Sequence, residues 1–185
     1  MESKTILFHS NEEKRCNEFL DGKVSLILSG NSKDDKWLGT GMYFWDNKGN
    51  ANWWNRRQKI RHPSKQYKVV RVNADTGRVL DLTDFEVYKK TKDIWENLCK
   101  IIKQDPDVPL GNKLNTLFSI YSDWNEAYNV IKVYGKYKGT PANGIFKFDY
   151  ESNEAEPTIA VKCIYNIKNA GCILEKEGVK EESNE

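Results

Sequence analysis

The chain has 185 residues, 38% of them hydrophobic and 30% charged, with a formal net charge of +2. That balance suits one globular domain with a well-charged surface, and no apolar run approaches the ~20 residues of a membrane span. The aromatic share of 12%, with six Trp and nine Tyr, is more than packing alone requires and favours a ligand cleft or a stacking surface. Cys16, Cys99, Cys163 and Cys172 are scattered, with no pair at CxxC spacing and only His9 and His62 beside them, so no metal is expected. The first eleven residues hold too short an apolar core for a signal peptide, and reduced cysteines suit a cytoplasmic protein. The charge is uneven: residues 175–185 carry five Glu and two Lys, a net −3 against +5 for residues 1–174. The expectation is a single domain over 1–174 followed by a disordered charged tail over 175–185.

In chain order, residues 5–9 alternate as a short strand, with Leu7 and His9 on one face and Ile6 and Phe8 on the other. Asn11 is placed to cap a helix whose first turn carries Glu12 and Glu13, and Gly22 stops it. Residues 24–28 form the next apolar run, a strand or the end of that unit, and 29–36 read as a loop. The stretch 38–54, LGTGMYFWDNKGNANWW, sets Gly39 and Gly41 around Thr40, then an aromatic strand through Trp45. A turn over 46–49 leads to a helix over 50–59, which His62 and Pro63 break. Strands are expected at 67–72 and 79–82 around a turn at 74–77.

A helix is predicted over 93–104, with Ile94, Leu98, Ile101 and Ile102 on one face. A second is predicted over 112–133, broken near Asp123, with Leu114, Leu117, Phe118, Tyr121, Tyr128 and Ile131 as its buried stripe. A loop over 135–143, a strand over 144–150, an acidic turn over 151–156, a strand over 157–165 and a short strand at 172–174 follow. The pattern is α+β with mostly antiparallel strands, and it contains neither GxGxxG nor a P-loop.

Glycines just ahead of an aromatic strand mark a place where something approaches the backbone. Trp53 and Trp54, about ten residues on, offer a flat apolar wall for a planar ligand. The same residues also make an ordinary glycine-kinked core strand followed by a core helix. Taken with LFHS at 7–10 and ANWW at 51–54, the GTGMYF segment at 39–44 is more specific. The chain resembles the ADP-ribosyltransferase fold on the branch shared by poly(ADP-ribose) polymerases and diphtheria toxin. That branch pairs a hydrophobic-aromatic-His-small strand with a G-x-G-hydrophobic-Tyr-Phe strand and then a short helix. The 34 residues from His9 to Tyr43 suit it, and the match covers residues 6–54 with a weaker one at 144–168.

The resemblance implies split, mostly antiparallel β-sheets flanked by helices, with NAD as substrate in the cleft between them. It implies that His9 hydrogen-bonds the adenosine-side ribose and that the backbone of Ser10 pairs with the nicotinamide amide. Gly41 and Phe44 belong to the cofactor-binding strand, Tyr43 stacks on the nicotinamide, and Trp53 or Trp54 closes it from the other side. Asn50 falls near a family serine that binds the carboxamide, a task an amide can also perform. The family's third catalytic residue is a Glu opening a late strand. Here the slot falls beside Glu156, which is the expected catalytic carboxylate, while Glu154 from the loop and Thr158 on the strand remain open. A Thr in that slot suits mono-ADP-ribosyl transfer, weak hydrolysis or NAD binding alone.

The segment 56–71 concentrates Arg56, Arg57, Lys59, Arg61, Lys65, Lys68 and Arg71. It reads as a solvated face, as a contact to the NAD pyrophosphate, or as a nucleic-acid surface. The leading expectation is mono-ADP-ribosylation of a protein or of DNA or RNA by a toxin- or phage-defence-type effector, with an antitoxin or regulator as a further partner. The alternatives are a non-catalytic NAD-, nucleotide- or nucleic-acid-binding module on the same fold, and an unrelated single-strand binder that stacks bases on Trp37, Trp45, Trp53 and Trp54.

Overall fold

A computed structural model describes residues 3–28, 37–137 and 158–180. Strand β1 (Lys4–Glu12) runs longer than its alternation predicts, and α1 (Glu13–Leu20) follows without a break. Asn11 therefore lies inside the strand; its Oδ1 accepts from the Glu12 amide, and Glu12 occupies the cap position. Residues 24–28 are irregular rather than a strand, although Ile27 is buried and its amide meets the Met42 sulfur. Next come β2 (Met42–Trp45) and α2 (Lys48–Arg61). Asn47 starts α2 by accepting from the Asn50 amide at 2.8 Å, one of the donors a helix start leaves unpaired.

β3 (Tyr67–Asp75) and β4 (Val79–Asp81) fall where expected. α3 (Phe85–Ile102) begins a full two turns before its predicted start because Asp84 caps it, accepting from the amides of Glu86 and Val87. The helix predicted over 112–133 is instead α4 (Leu110–Ile120), α5 (Ser122–Ala127) and then a strand, β5 (Val130–Lys136). Ile131 does not continue a helical stripe; it pairs with Leu80 on one side and Asn166 on the other. Two-sided pairing outweighs a helical spacing that extends only a few residues past α5. β6 (Val161–Ile167) sits a few residues later than predicted, and the strand expected over 144–150 lies outside the described residues.

The expected disordered tail needs correction in its first part. Residues 175–178 belong to β7 (Ile173–Gly178), which pairs antiparallel with β3. Glu177 meets Arg71 at 2.8 Å, and the Lys176 ammonium lies over the Phe19 ring and donates to the Phe19 carbonyl. The charges that make the segment look unfolded are the ones that fit it to an edge.

The described strands form one open sheet in the order β4-β5-β6-β2-β1-β3-β7, antiparallel except for β4 against β5. Among the described residues five α-helices accompany it, none long and apolar enough to cross a membrane. β1 pairs with β3 over nine consecutive residues but with β2 only at Phe8 and Trp45. The sheet is thus two halves, β4-β5-β6-β2 and β1-β3-β7, joined by one rung.

The two faces of the sheet treat that seam differently. Alternation sends Phe44, Tyr165 and Val130 to one face and Tyr43, Ile164 and Ile131 to the other. The first face carries a core drawn from both halves, with Leu7, Val70 and Val72 from β1 and β3 packed with Met42, Phe44 and Ile167, under Phe19 of α1. On the second face Leu80, Ile131 and Ile164 pack beneath Leu114 and Phe118 of α4, all within the β4-β5-β6-β2 half. Among the described residues the halves share a hydrophobic core on the first face and none on the second.

Candidate ligand site

The ladder phase shows what the seam exposes. Glu13 donates to Gln66 O and Thr76 donates to Ser3 O, each directly across the ladder, so odd residues of β1 turn their peptide groups toward β3. Even residues, Phe8, Ser10 and Glu12, turn theirs toward β2. After Phe8 has paired with Trp45, the next rung would join Ser10 to Tyr43, and it does not form. The Tyr43 carbonyl is taken instead by the His9 ring, whose Nδ1 lies 2.6 Å away. His9 is a wedge: its imidazole replaces a backbone rung and leaves the Ser10 peptide edge facing the gap.

The wedge has a defined protonation state. A carbonyl only accepts, so Nδ1 carries the hydrogen, and Nε2 accepts from the Asn11 amide at 3.3 Å. His9 is 6% exposed and lies against Phe44, with ring centroids 5.5 Å apart. Burial lowers its pKa to about 4; the bond to Tyr43 opposes this and the charge of Arg15 reinforces it. The ring is neutral at physiological pH. Beside it the buried Ser10 hydroxyl has no hydrogen-bond partner among the described residues, an orphan that a native fold rarely leaves without cause.

These groups line a cavity of about 450 Å³ between β1, β2 and α2. Trp37, Tyr43, Trp45, Trp54 and Tyr137 line it with aromatic rings, and Phe44 and Ile164, from opposite faces of the sheet, add apolar surface. Tyr43 is fixed by its hydroxyl, which donates to Gly39 O at 2.6 Å and accepts from the Leu38 amide at 3.1 Å. At the β1 end stand Glu12, Arg15, Gln58, His62 and Lys65. Lys65 and Glu12 are 2.5 Å apart, and the ammonium holds the Glu12 carboxyl below its usual range. Arg15 donates to Leu28 O. The arrangement can hold a planar amphipathic ring between aromatic walls and an anionic group at its other end.

Of the residues singled out from the sequence, His9, Ser10, Tyr43, Phe44 and Trp54 line this one cavity. Trp53 does not; it is 43% exposed and packs edge-on against Tyr137 with Arg57 over its face. Asn50 sits in the first turn of α2, outside the lining. Gly41 is a glycine for another reason than ligand approach. Its φ is +153°, and a Cβ there would lie 1.6 Å from Asn166 Oδ1. Gly39 likewise faces the Asn115 side chain, at 2.2 Å from a Cβ. The close approach read from the glycines is made by the protein's own asparagines. Glu154 and Glu156 lie outside the described residues, and Thr158 is exposed, ahead of β6, with its Oγ accepting from the Ala160 amide.

Sequence reasoning passed over Arg15, Tyr137 and Asn166. Asn166 had a signal, a lone amide in the apolar run CIYNI; it is fully buried and donates to Leu38 O and Gly39 O. Arg15 and Tyr137 had none, since only the fold brings them to β1 and α2. The basic run divides: Arg56, Arg57 and Arg61 are exposed on α2, while Lys68 bonds Asn17, Arg71 pairs with Glu177 and Lys65 with Glu12. The four cysteines are free, and burial raises the Cys16 and Cys172 thiols to about 11, which leaves them without thiolate character.

A second cavity, of about 540 Å³, lies past the Gly39–Gly41 loop beside Tyr128 and Lys168. Burial lowers the Lys168 ammonium to about 8; it donates to Thr40 O and sits 4.9 Å from the centre of the Phe118 ring. The walls and wedge belong to the first cavity. Comparisons with family models, curated proteins and solved structures found no match for this chain.

Proposed function

We propose that the chain is an NAD-dependent ADP-ribosyltransferase that moves one ADP-ribose unit to a macromolecular acceptor, protein or nucleic acid, as a toxin- or phage-defence-type effector. One observation carries the reading: the His9 wedge leaves a peptide edge with both donor and acceptor, at Ser10, facing an aromatic cavity. A carboxamide offers the complementary pair. Tyr43, locked by its hydroxyl, and Trp54 supply flat walls for the nicotinamide ring, and the Nε2 of the neutral His9 can accept from a ribose hydroxyl once that hydroxyl displaces the Asn11 amide. Bond cleavage between nicotinamide and ribose develops positive charge on the sugar, which a preorganised polar and π-rich site stabilises better than water does. The carboxylate that completes the site is assigned to Glu156.

Incubation with labelled NAD and a lysate tests the proposal. Label transfer with release of nicotinamide is expected; neither label nor free nicotinamide removes the transferase and hydrolase readings together. Titration with NAD should quench tryptophan fluorescence, and Tyr43→Ala should abolish the quench.

The second reading is a non-catalytic NAD-binding module on the same framework. It is favoured by the carboxylates of the lining: among the described residues Glu12 alone contributes one, and Lys65 holds it. Glu156→Gln separates the two, because a transferase loses most of its turnover while a binding module keeps its NAD affinity unchanged.

A further inference from the structure

The mouth of the cavity has a construction that nicotinamide binding does not need. Five rings follow one another across it. Trp37 and Tyr137 have centroids 5.8 Å apart, Tyr137 and Trp53 6.3 Å, Trp53 and Trp54 6.4 Å, and Trp54 and Trp45 6.1 Å. Trp37, Tyr137, Trp54 and Trp45 line the cavity, while Trp53, between Tyr137 and Trp54 in the series, stands outside the lining; Trp37 is 41% and Trp53 43% exposed. Large aromatic faces left in water at one opening lose burial energy and commonly mark a site that another molecule covers.

The charge beside these rings indicates what covers them. Helix α2, KGNANWWNRRQKIR, contains five cations and no carboxylate. It buries only Ala51 and Asn55 fully, turns Trp54 and Gln58 to the cavity, and leaves Trp53, Arg56, Arg57 and Arg61 exposed. Arg56, Arg57 and Arg61 are exposed and make no ion pair among the described residues. Arg57 lies 5.2 Å from the Trp53 ring centre, a guanidinium already stacked on an aromatic face. Arginines that make no ion pair among the described residues, set beside exposed Trp53, match a chain that carries both phosphates and flat bases. A duplex keeps its base faces stacked internally; a single strand presents them.

Building on the transferase reading, we infer that this mouth binds single-stranded nucleic acid and that the acceptor is one of its bases. A base stacked at Trp53 stands at the entrance to the Tyr43–Trp54 walls, where a ring or exocyclic nitrogen can reach the reacting sugar carbon. In that step the nitrogen lone pair forms the new bond to the ribose C1′. The bond from C1′ to nicotinamide breaks with its electron pair on the leaving nitrogen, and the base nitrogen releases its proton to solvent.

The test uses the full chain and end-labelled mixed-sequence oligonucleotides as single-stranded DNA, single-stranded RNA and duplex DNA. Fluorescence anisotropy is read between about 50 and about 200 mM salt. Expected are binding of single strands over duplex and a loss of about tenfold or more in affinity for Trp53→Ala, largely restored in Trp53→Phe. The combined Arg56→Ala, Arg57→Ala, Arg61→Ala variant should flatten the slope of log affinity against log salt by about 2. Circular dichroism confirms that each variant is folded. The DNA and RNA arms identify which strand is preferred. Transfer is then followed from labelled NAD into each oligonucleotide and into lysate protein. Label on single-stranded oligonucleotide supports the inference. Label confined to protein, equal binding of duplex, or affinity indifferent to Trp53→Ala overturns it while leaving the transferase reading intact. If no nicotinamide is released with any acceptor, the transferase reading and the base-acceptor assignment fall together, and the anisotropy series alone decides whether the mouth binds single strands.

Discussion

Acidification tests the wedge directly. Above pH 7 the His9 ring is neutral whether the chain is folded or not. As pH falls through the ordinary value of 6.5, the unfolded chain takes up a proton that the folded chain refuses until about 4. The sign follows: stability is fully present above the unfolded value and is lost as pH falls toward the folded one. A displacement from 6.5 to about 4 corresponds to about 3 kcal/mol in all, of which about 2.5 kcal/mol should have gone by pH ~4.5. Carboxylates titrate in the same range, so the quantity to read is a difference. His9→Gln keeps an amide donor for the Tyr43 carbonyl and removes the titration. Urea unfolding of both proteins from about pH 7.5 to about pH 4.5 gives their stability gap at each pH. The gap should shift against the wild type by about 2.5 kcal/mol across that window. A gap constant within about 0.5 kcal/mol would mean that the ring protonates freely in the fold. The rung at Ser10 would then owe its absence to something else.

Gly41→Ala should destabilise the fold by about 3 kcal/mol or more, combining a left-handed φ with the Asn166 collision, and the penalty should shrink but not vanish in an Asn166→Ala background. Tyr43→Phe removes the hydroxyl that joins Leu38 N to Gly39 O. It should cost about 1–2 kcal/mol in urea unfolding and speed limited proteolysis within 38–41. Lys168, held down to about 8 against the ordinary 10.5, should carry roughly a hundredfold more free amine than an ordinary lysine at that pH. It should dominate the peptide map after brief acylation, and labelling no faster than Lys89 or Lys90 would contradict a reachable amine with a lowered value.

The sequence made the site legible where chemistry and spacing coincide. His9 and Tyr43, 34 residues apart, do meet, through the Nδ1 bond to the Tyr43 carbonyl. α2 was foreseeable from Asn47, whose side chain satisfies a helix-start donor using only local residues. β5 was not, and of β7 only the start was, as the short strand expected at 172–174; neither β5 nor the rest of β7 carries evidence of its own. Residues 130–133 fit a helical stripe nearly as well as a strand, and only β4 and β6 on either side decide. In β7 the alternation is masked by charges whose partners, Arg71 and the Phe19 ring and carbonyl, lie more than a hundred residues away. The glycines were read as room for a ligand, yet Asn115 and Asn166 fill that room, a long-range packing fact with no local trace. Choosing between Trp53 and Trp54 likewise required the pitch of α2 relative to β2.

Helix α2 rests on Ala51 and Asn55 while the core beneath the seam holds the two half-sheets together without it. Its outer side chains can therefore be exchanged at little cost to the fold. A framework built this way separates durability from selectivity. Where the mouth binds a single strand, changes at positions 53, 56, 57 and 61 are expected to alter that binding while the wedge and the walls behind it stay as they are. For engineering, that makes α2 the place to randomise when a different recognition preference is sought.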